Sequence, residues 1–138
     1  MINKVQGIYF LLYSTMIIKD VTDILVWQKA HALTTNILST LAPVEHSVLK
    51  QETILASLAV TKRIAFGFAM WSQWGFKDAL LLAKADVLEL RVLLLLMRDQ
   101  NILEVAVVDD FQSQIEDVSK LLYGFVKTFL EKTKKTTE

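Results

Sequence analysis

The apolar residues of this chain recur at intervals of three and four, which is the spacing of one helix face, and not at the alternation typical of strands. Between Asp23 and Leu41 they form a single stripe, which predicts a first helix. Pro43 ends that helix, because proline has no amide hydrogen to continue the hydrogen-bond ladder. The stripe consists of Val26, Ala30, Leu33, Ile37 and Leu41.

Two longer helices are predicted to follow. The second runs from about His46 to Ser72, and Trp71–Phe76, which contains Gly75, is interpreted as a tight connection or a bend. The third runs from Phe76 to about Gln100, and its second half is apolar nearly all round, which predicts burial on more than one side. The apolar positions of the second helix include Leu49, Leu55, Leu58, Ala59 and Ala65.

The last helix is predicted to begin between Val105 and Asp109, after a break at Asn101. Asp109 and Asp110 are interpreted as capping residues near its start, and Glu131–Glu138 as its frayed end. Because the connections are short, neighbouring helices should run antiparallel. The predicted fold class is therefore all-α, an antiparallel up-down four-helix bundle. The inward stripe of the last helix is expected to contain Ile115, Val118, Leu121, Leu122, Phe125 and Phe129.

The bundle is predicted to span residues 19–133, between an apolar N-terminal extension, residues 1–18, and a frayed charged tail, residues 134–138. The apolar run Val5–Ile18 is interrupted by polar residues and lacks a small-residue cleavage site. It is also shorter than the roughly 20 apolar residues of a membrane helix. A signal peptide or membrane anchor is therefore the less favoured interpretation, and a membrane-associated protein is kept only as a third functional class.

Composition adds an excess of apolar residues to this picture. The hydrophobic fraction is 53%, whereas ordinary soluble domains reach about 45–50% in a count that also includes Gly. A lone small bundle would leave part of that excess facing water, so we predict self-association or a covering partner. The 15 basic and 15 acidic residues cancel, so any nucleic-acid role depends on a local patch. The lack of Cys excludes disulfides and thiolate metal sites, and it fits the cytoplasmic location that we expect.

No catalytic constellation is recognisable in the sequence. The two histidines, His31 and His46, do not have the paired spacing of a metal site, and no Cys nucleophile exists. A site that joins them to Glu45 and Glu52 is imaginable, but no spacing supports it. We therefore predict a protein that is not an enzyme and that uses no cofactor, metal or small-molecule substrate.

The candidate contact residues are cations and aromatics. Arg91 and Arg98 lie seven residues apart, hence on one helix face, where they could meet a phosphate backbone. Solvated helix faces are the alternative interpretation of the cations. The aromatic residues are candidates for a protein interface, with packing of the bundle, docking of a partner and stacking on nucleic acid all open. The cations are Arg63, Arg91, Arg98, Lys120 and Lys127, and the aromatics are Phe66, Phe68, Trp71 and Trp74.

Several segments resemble a known family when they are taken in order. Asp23–His31 is similar to the D-x-x-V-W-Q-K-A-H opening of the four-helix-bundle proteins encoded in intervening sequences of bacterial 23S rRNA genes. Val118–Lys127 resembles that family's V-x-x-M-L-N-G-L-I-K, and Ile64–Gly67 lies where the family has I-A-E-G. Leu88–Leu90 matches its A-E-L and Asn101–Leu103 its G-Y-L, and the resemblance extends from about Ile18 to Leu130. The family offers no established activity for this branch.

Leu88–Val92 and the leucines after it are also similar to the third helix of a related group, the accessory variability determinant proteins of diversity-generating retroelements. That resemblance implies a homopentameric barrel of bundles, which would account for the apolar excess. It also implies binding to a reverse transcriptase and to RNA or DNA.

The chain departs from the family pattern at several basic positions. Ile54 and Leu55 stand where the family usually has two arginines, and Phe68–Trp74 replaces a basic stretch. Arg63 replaces an Asn and Phe66 a Glu. The leading hypothesis is an oligomeric adaptor that docks a nucleic-acid-handling partner, with modest RNA or DNA affinity. The alternative is a structural protein-interaction bundle that uses the Trp71–Trp74 region and binds no nucleic acid.

Overall fold

Four α-helices make up most of the chain that the computed structural model describes, namely residues 20–70 and 75–137, with side chains as far as residue 127. The helices are α1, Leu25–Leu41; α2, Val48–Ala69; α3, Gly75–Asp99; and α4, Val105–Thr137. A 3-10 turn, Val21–Asp23, precedes α1. The all-α prediction with four helices is confirmed. The extension predicted for residues 1–18 lies outside the described residues, as do Trp71 and Trp74.

Contacts between the helices show that neighbours in sequence run antiparallel. The Lys50 ammonium, in the first turn of α2, donates to the Ala42 carbonyl at the end of α1. The Thr34 hydroxyl, two turns before the end of α1, donates to the Ser57 carbonyl further along α2. Arg63 of α2 pairs with Asp86 of α3, while Gly67, one turn further along α2, lies beside Ala79, two turns earlier in α3. Gln112 of α4 contacts Arg91 of α3, and Tyr123, further along α4, lies under Lys84, which comes earlier in α3. Since α1 also packs on α4, the four helices close into one bundle.

The core contains the predicted stripe of α1 and that of α4 up to Phe125, whereas the side chain of Phe129 lies outside the described part. All five residues of the α1 stripe are buried, and in α4 Ile115, Val118 and Leu122 are buried while Leu121 and Phe125 are half-buried against the core. In α2 none of the five named apolar positions is fully buried, and Leu55 is exposed. The residues of α2 that face inward are Thr53, Ala56, Ser57, Val60, Ile64 and Gly67.

Small residues allow α2 to lie close to its neighbours. A Cβ atom placed on Gly67 would lie 2.5 Å from the Cβ of Ala79, which is well inside normal contact distance. The hydroxyls of Thr53 and Ser57 bond to the carbonyls of Leu49 and Ile54 in their own helix, so these polar groups are buried without an unmet hydrogen bond. The close approach therefore depends on residues that a hydrophobicity pattern does not mark.

The turn between α3 and α4 ends the third helix at the predicted position. Asn101 has a φ of 58°, the left-handed conformation that Asn tolerates better than most residues. The amide of Ile102 donates to the Met97 carbonyl and that of Asn101 to the Arg98 carbonyl, which is the Schellman arrangement of a helix C-terminus. Asn101 stands where the family that the chain resembles has Gly, and the turn requires a left-handed backbone at this position.

One prediction for α4 needs correction. The helix begins at Val105, so Asp109 and Asp110 lie in its second turn and do not cap it. Asp110 instead accepts a hydrogen bond from the side chain of Gln114, one turn later. The helix extends to Thr137, and no Gly or Pro interrupts it after Gly124.

In the part of the chain that the structure describes, none of the helices combines the length and the apolarity that crossing a membrane requires. This includes α3, which carries Lys84, Asp86, Glu89 and Arg91 among its apolar residues.

Candidate functional site

The outer side of α3 is an exposed apolar surface. The sequence predicted that the second half of this helix is buried on more than one side. In the single chain its outer side is exposed, so burial of that side by a second copy or a partner stays a prediction. Leu88 is 58% exposed and Val92 49%, although both lie in a helix whose other side forms the core. We call the exposed apolar surface of α2 and α3 the apolar face; its α3 members are Leu81, Leu82, Leu88, Val92 and Leu96.

The apolar face continues onto α2 beside the Arg63–Asp86 ion pair. Phe66 and Met70 follow Arg63 by three and seven residues, so they lie on its side of the helix, and both are at least half exposed. Leu55 of α2 is exposed as well. Of the predicted interface aromatics, Phe66 therefore belongs to the apolar face, whereas Phe68 packs half-buried against the chain's own core. Trp71 and Trp74 lie outside the described residues.

A groove of about 780 Å³ lies between α3 and α4. Lys84, Arg91 and Arg98 line its α3 side, each seven residues from the next. Seven residues are close to two helical turns, so the three cations stand in one row about 10 Å apart. The structure thus brings together Arg91 and Arg98, which the sequence singled out, and adds Lys84. The seven-residue spacing was a signal that could have identified Lys84.

The opposite side of the groove is acidic. Asp109 and Glu116 of α4 line it, again seven residues apart. Two of the charges near the groove also have local partners: Arg98 pairs with Asp99 at 2.9 Å, and Glu116 with Lys120 at 3.4 Å. The groove is therefore a channel with a basic and an acidic wall, and not a uniformly basic cleft.

Two further contacts join α3 and α4, one at the Lys84 end of the groove and one in its middle. The Lys84 ammonium lies 5.5 Å from the centre of the Tyr123 ring, a cation–π contact. Gln112 donates from its side-chain amide to the carbonyl of Arg91 at 3.4 Å. Its other amide atom, Oε1, is buried and accepts no hydrogen bond from the described residues. Both contacts join the two walls.

The remaining candidate cations lie elsewhere. The Arg63 Nε lies 3.1 Å from the Asp86 carboxylate, which is only 11% exposed, so Arg63 neutralises a nearly buried charge between α2 and α3. Lys120 and Lys127 are exposed on α4 and seven residues apart, hence on one face. The five candidate cations do not form one site: two lie in the groove, two on α4 and one in an ion pair.

The histidines do not form a metal site with acidic residues in the described part of the chain. In the described part of the chain, no three His, Asp or Glu side chains lie close enough to hold a metal ion. His31 stacks on Trp27, with ring centres 4.7 Å apart and planes 16° from parallel. Both residues belong to the opening motif of the resembling family, and here they pack on each other along α1.

Comparison with known proteins agrees with this fold. The model of the 23S rRNA-intervening sequence protein family matches residues 22–124, which is most of the chain and all of the bundle as far as Gly124. The chain belongs to this family. A similar solved structure is the crystal structure of a protein of unknown function from the S23 ribosomal protein family of Bacteroides thetaiotaomicron VPI-5482. None of the curated proteins with which the chain was compared matches it.

The solved family structure supports the fold alone. It superposes with a TM-score of 0.69 over 75% of this chain and 99% of that one, at 15% sequence identity. At that identity the helices and their order are shared, whereas surface residues need not be. The apolar face and the α3–α4 groove are therefore interpreted from this chain's own residues.

Proposed function

We propose that the protein is a non-enzymatic, self-associating adaptor of the cytoplasm that binds a nucleic-acid-handling protein. The observation that carries the proposal is the apolar face, since a surface of eight exposed large apolar side chains is unusual for a monomer. The five-membered barrel implied by the retroelement resemblance is the assembly that we propose for it. A reverse transcriptase of that class is the partner that we favour.

The assembly is tested by replacing apolar side chains of the apolar face with charged ones. In Leu88→Glu with Val92→Glu, two carboxylates replace two central side chains of the face, and we expect light scattering to show loss of the oligomer. The matched control is Leu25→Glu with Leu38→Glu on α1, which are 44% and 39% exposed in the single chain. If both pairs leave the mass unchanged, the apolar face is not the contact between subunits.

A modest affinity for RNA or DNA is the second part of the proposal, and we assign it to Lys120 and Lys127 on the exposed face of α4. Contacts with phosphates release counterions, so binding should fall steeply as salt rises. Binding of a labelled structured RNA should weaken in Lys120→Glu with Lys127→Glu but persist in Lys29→Glu with Lys62→Glu, which changes the charge equally. If the unmodified chain does not bind the RNA even at low salt, the proposed nucleic-acid affinity is excluded.

A protein-interaction bundle without nucleic-acid binding is the second candidate function. It is favoured by the exposure of Phe66 and Met70 at the end of α2, directly before Trp71 and Trp74. This candidate predicts that Trp71→Ala with Trp74→Ala disrupts partner capture, while the unmodified chain shows no salt-sensitive RNA binding. The RNA measurement therefore separates the two functions.

A further inference from the structure

The charge pattern of the α3–α4 groove is informative about what it can bind. Lys84, Arg91 and Arg98 form one wall, and Asp109 and Glu116 form the other. A nucleic-acid strand carries a single sign of charge along its whole length. It would be attracted to the α3 wall and repelled by the α4 wall, so the groove as a whole suits a polyanion poorly.

Two apolar side chains, seven residues apart, lie beside the cations of α3. Leu95 is half-exposed in the groove, and Leu88 lies at the edge that the groove shares with the apolar face, above the buried Val87 and Ile115. Apolar and charged side chains that each repeat every seven residues match one side of an amphipathic helix, whose own residues repeat at the same interval.

We propose that the groove docks an amphipathic helix of the partner protein. The helix that fits has an apolar stripe at heptad spacing, carboxylates on the flank that meets α3 and lysine or arginine on the flank that meets α4. The inference rests on the proposed function, since it describes the chemistry of the partner that the adaptor binds. Charge complementarity along both walls is what distinguishes this occupant from an RNA strand or a purely apolar segment.

The probe is a synthetic helical peptide of three heptads with leucine on its apolar stripe, glutamate on one flank and lysine on the other. Its control has the same composition with both charges mixed on each flank. Binding is measured by fluorescence anisotropy at physiological salt, at peptide concentrations where circular dichroism shows no self-association. We expect the segregated peptide to bind about tenfold tighter, because as many as five flanking ion pairs each contribute a small part.

Two protein variants locate the binding. Arg91→Gln with Arg98→Gln should abolish the preference for the segregated peptide. Lys29→Gln with Lys62→Gln removes the same charge from exposed positions outside the groove and should retain the preference. Arg91 is exposed and Arg98 half-exposed, and unchanged urea unfolding of both variants would show that the bundle is intact.

Three results would overturn the inference. Equal affinity for the two peptides, or no affinity for either, would show that the groove does not recognise segregated charge. RNA binding that is lost in the Arg91 and Arg98 variant would assign the groove to nucleic acid. A changed oligomer mass in that variant would assign it to a second copy of the chain. If the oligomer forms but no peptide binds, the docking inference fails while the proposed assembly is retained. The failure of the inference is thus distinguishable from the failure of the proposed function.

Discussion

Replacement of Gly67 by Ala tests the close packing of α2 on α3. The new methyl would lie 2.5 Å from the Cβ of Ala79 and 3.4 Å from the Phe76 Cα. Because the Ala79 Cβ is fixed to its backbone, the helices themselves must separate. Overpacking of this kind costs about 1–3 kcal/mol, whereas the loss of glycine flexibility in the unfolded chain returns about 0.4–1 kcal/mol. We therefore expect Gly67→Ala to lower the free energy of unfolding by about 1–2 kcal/mol.

Gly124 in α4 provides a matched control within the same chain. A Cβ placed there meets no atom within 4 Å, so Gly124→Ala should raise stability by about 0.4–1 kcal/mol. The assay is urea unfolding followed by circular dichroism at one fixed protein concentration, since self-association couples stability to concentration. The double variant Gly67→Ala with Ala79→Gly removes the clashing methyl and should recover much of the loss. Equal stabilisation by both alanines would refute the close approach of α2 and α3.

Three further variants probe individual contacts. Arg63→Gln leaves the nearly buried Asp86 without its partner and should lower the free energy of urea unfolding by about 1–3 kcal/mol, while RNA binding stays unchanged. Weaker RNA binding with unaltered stability would contradict this expectation. Asn101→Gly should stabilise by up to about 1 kcal/mol, because its φ of 58° costs a residue with a Cβ, and a loss of stability would argue against the left-handed turn. Hydrogen bonds from Thr22 lower the pKa of Asp20 below its ordinary 3.8. The carboxylate therefore stabilises the fold above pH 3.8, and this contribution disappears as the pH falls through the lowered pKa of the folded state. An NMR titration should show the pKa of Asp20 rise in Thr22→Val.

The sequence predicted best where one helix face is apolar and the other polar. The α1 stripe from Val26 to Leu41 is such a case, and all of it is buried. In α2 the same reasoning selected Leu55, which is exposed, and overlooked Thr53 and Ser57, which are buried. Burial there is decided by how closely two backbones approach, and small residues permit an approach that their hydrophobicity does not reveal.

The candidate site was predicted only where it depends on spacing along one helix. Arg91 and Arg98 share a face because seven residues are two turns, and the structure places both in the α3–α4 groove. The partner of Arg63 could not be foreseen, because the pairing with Asp86 depends on how α2 and α3 are aligned. The acidic wall formed by Asp109 and Glu116 was missed for the same reason.

Exposure of the apolar face was also unexpected, because a run of leucines predicts burial without specifying by what. The chain alone cannot cover all sides of α3, since α2 and α4 occupy only its inner sides. Burial of a half-exposed Leu or Val contributes about 1 kcal/mol, so the five residues of α3 together favour association by roughly 5 kcal/mol per chain as an upper bound.

The molar mass of the unmodified chain in solution tests the central claim most directly. Sedimentation equilibrium over a wide concentration range should give a multiple of the 15.7 kDa chain mass, with five copies for the proposed barrel. The same measurement on Leu88→Glu with Val92→Glu should give the single-chain mass. A mass of 15.7 kDa for the unmodified chain at every concentration would contradict the account, because the apolar face would then remain open to water.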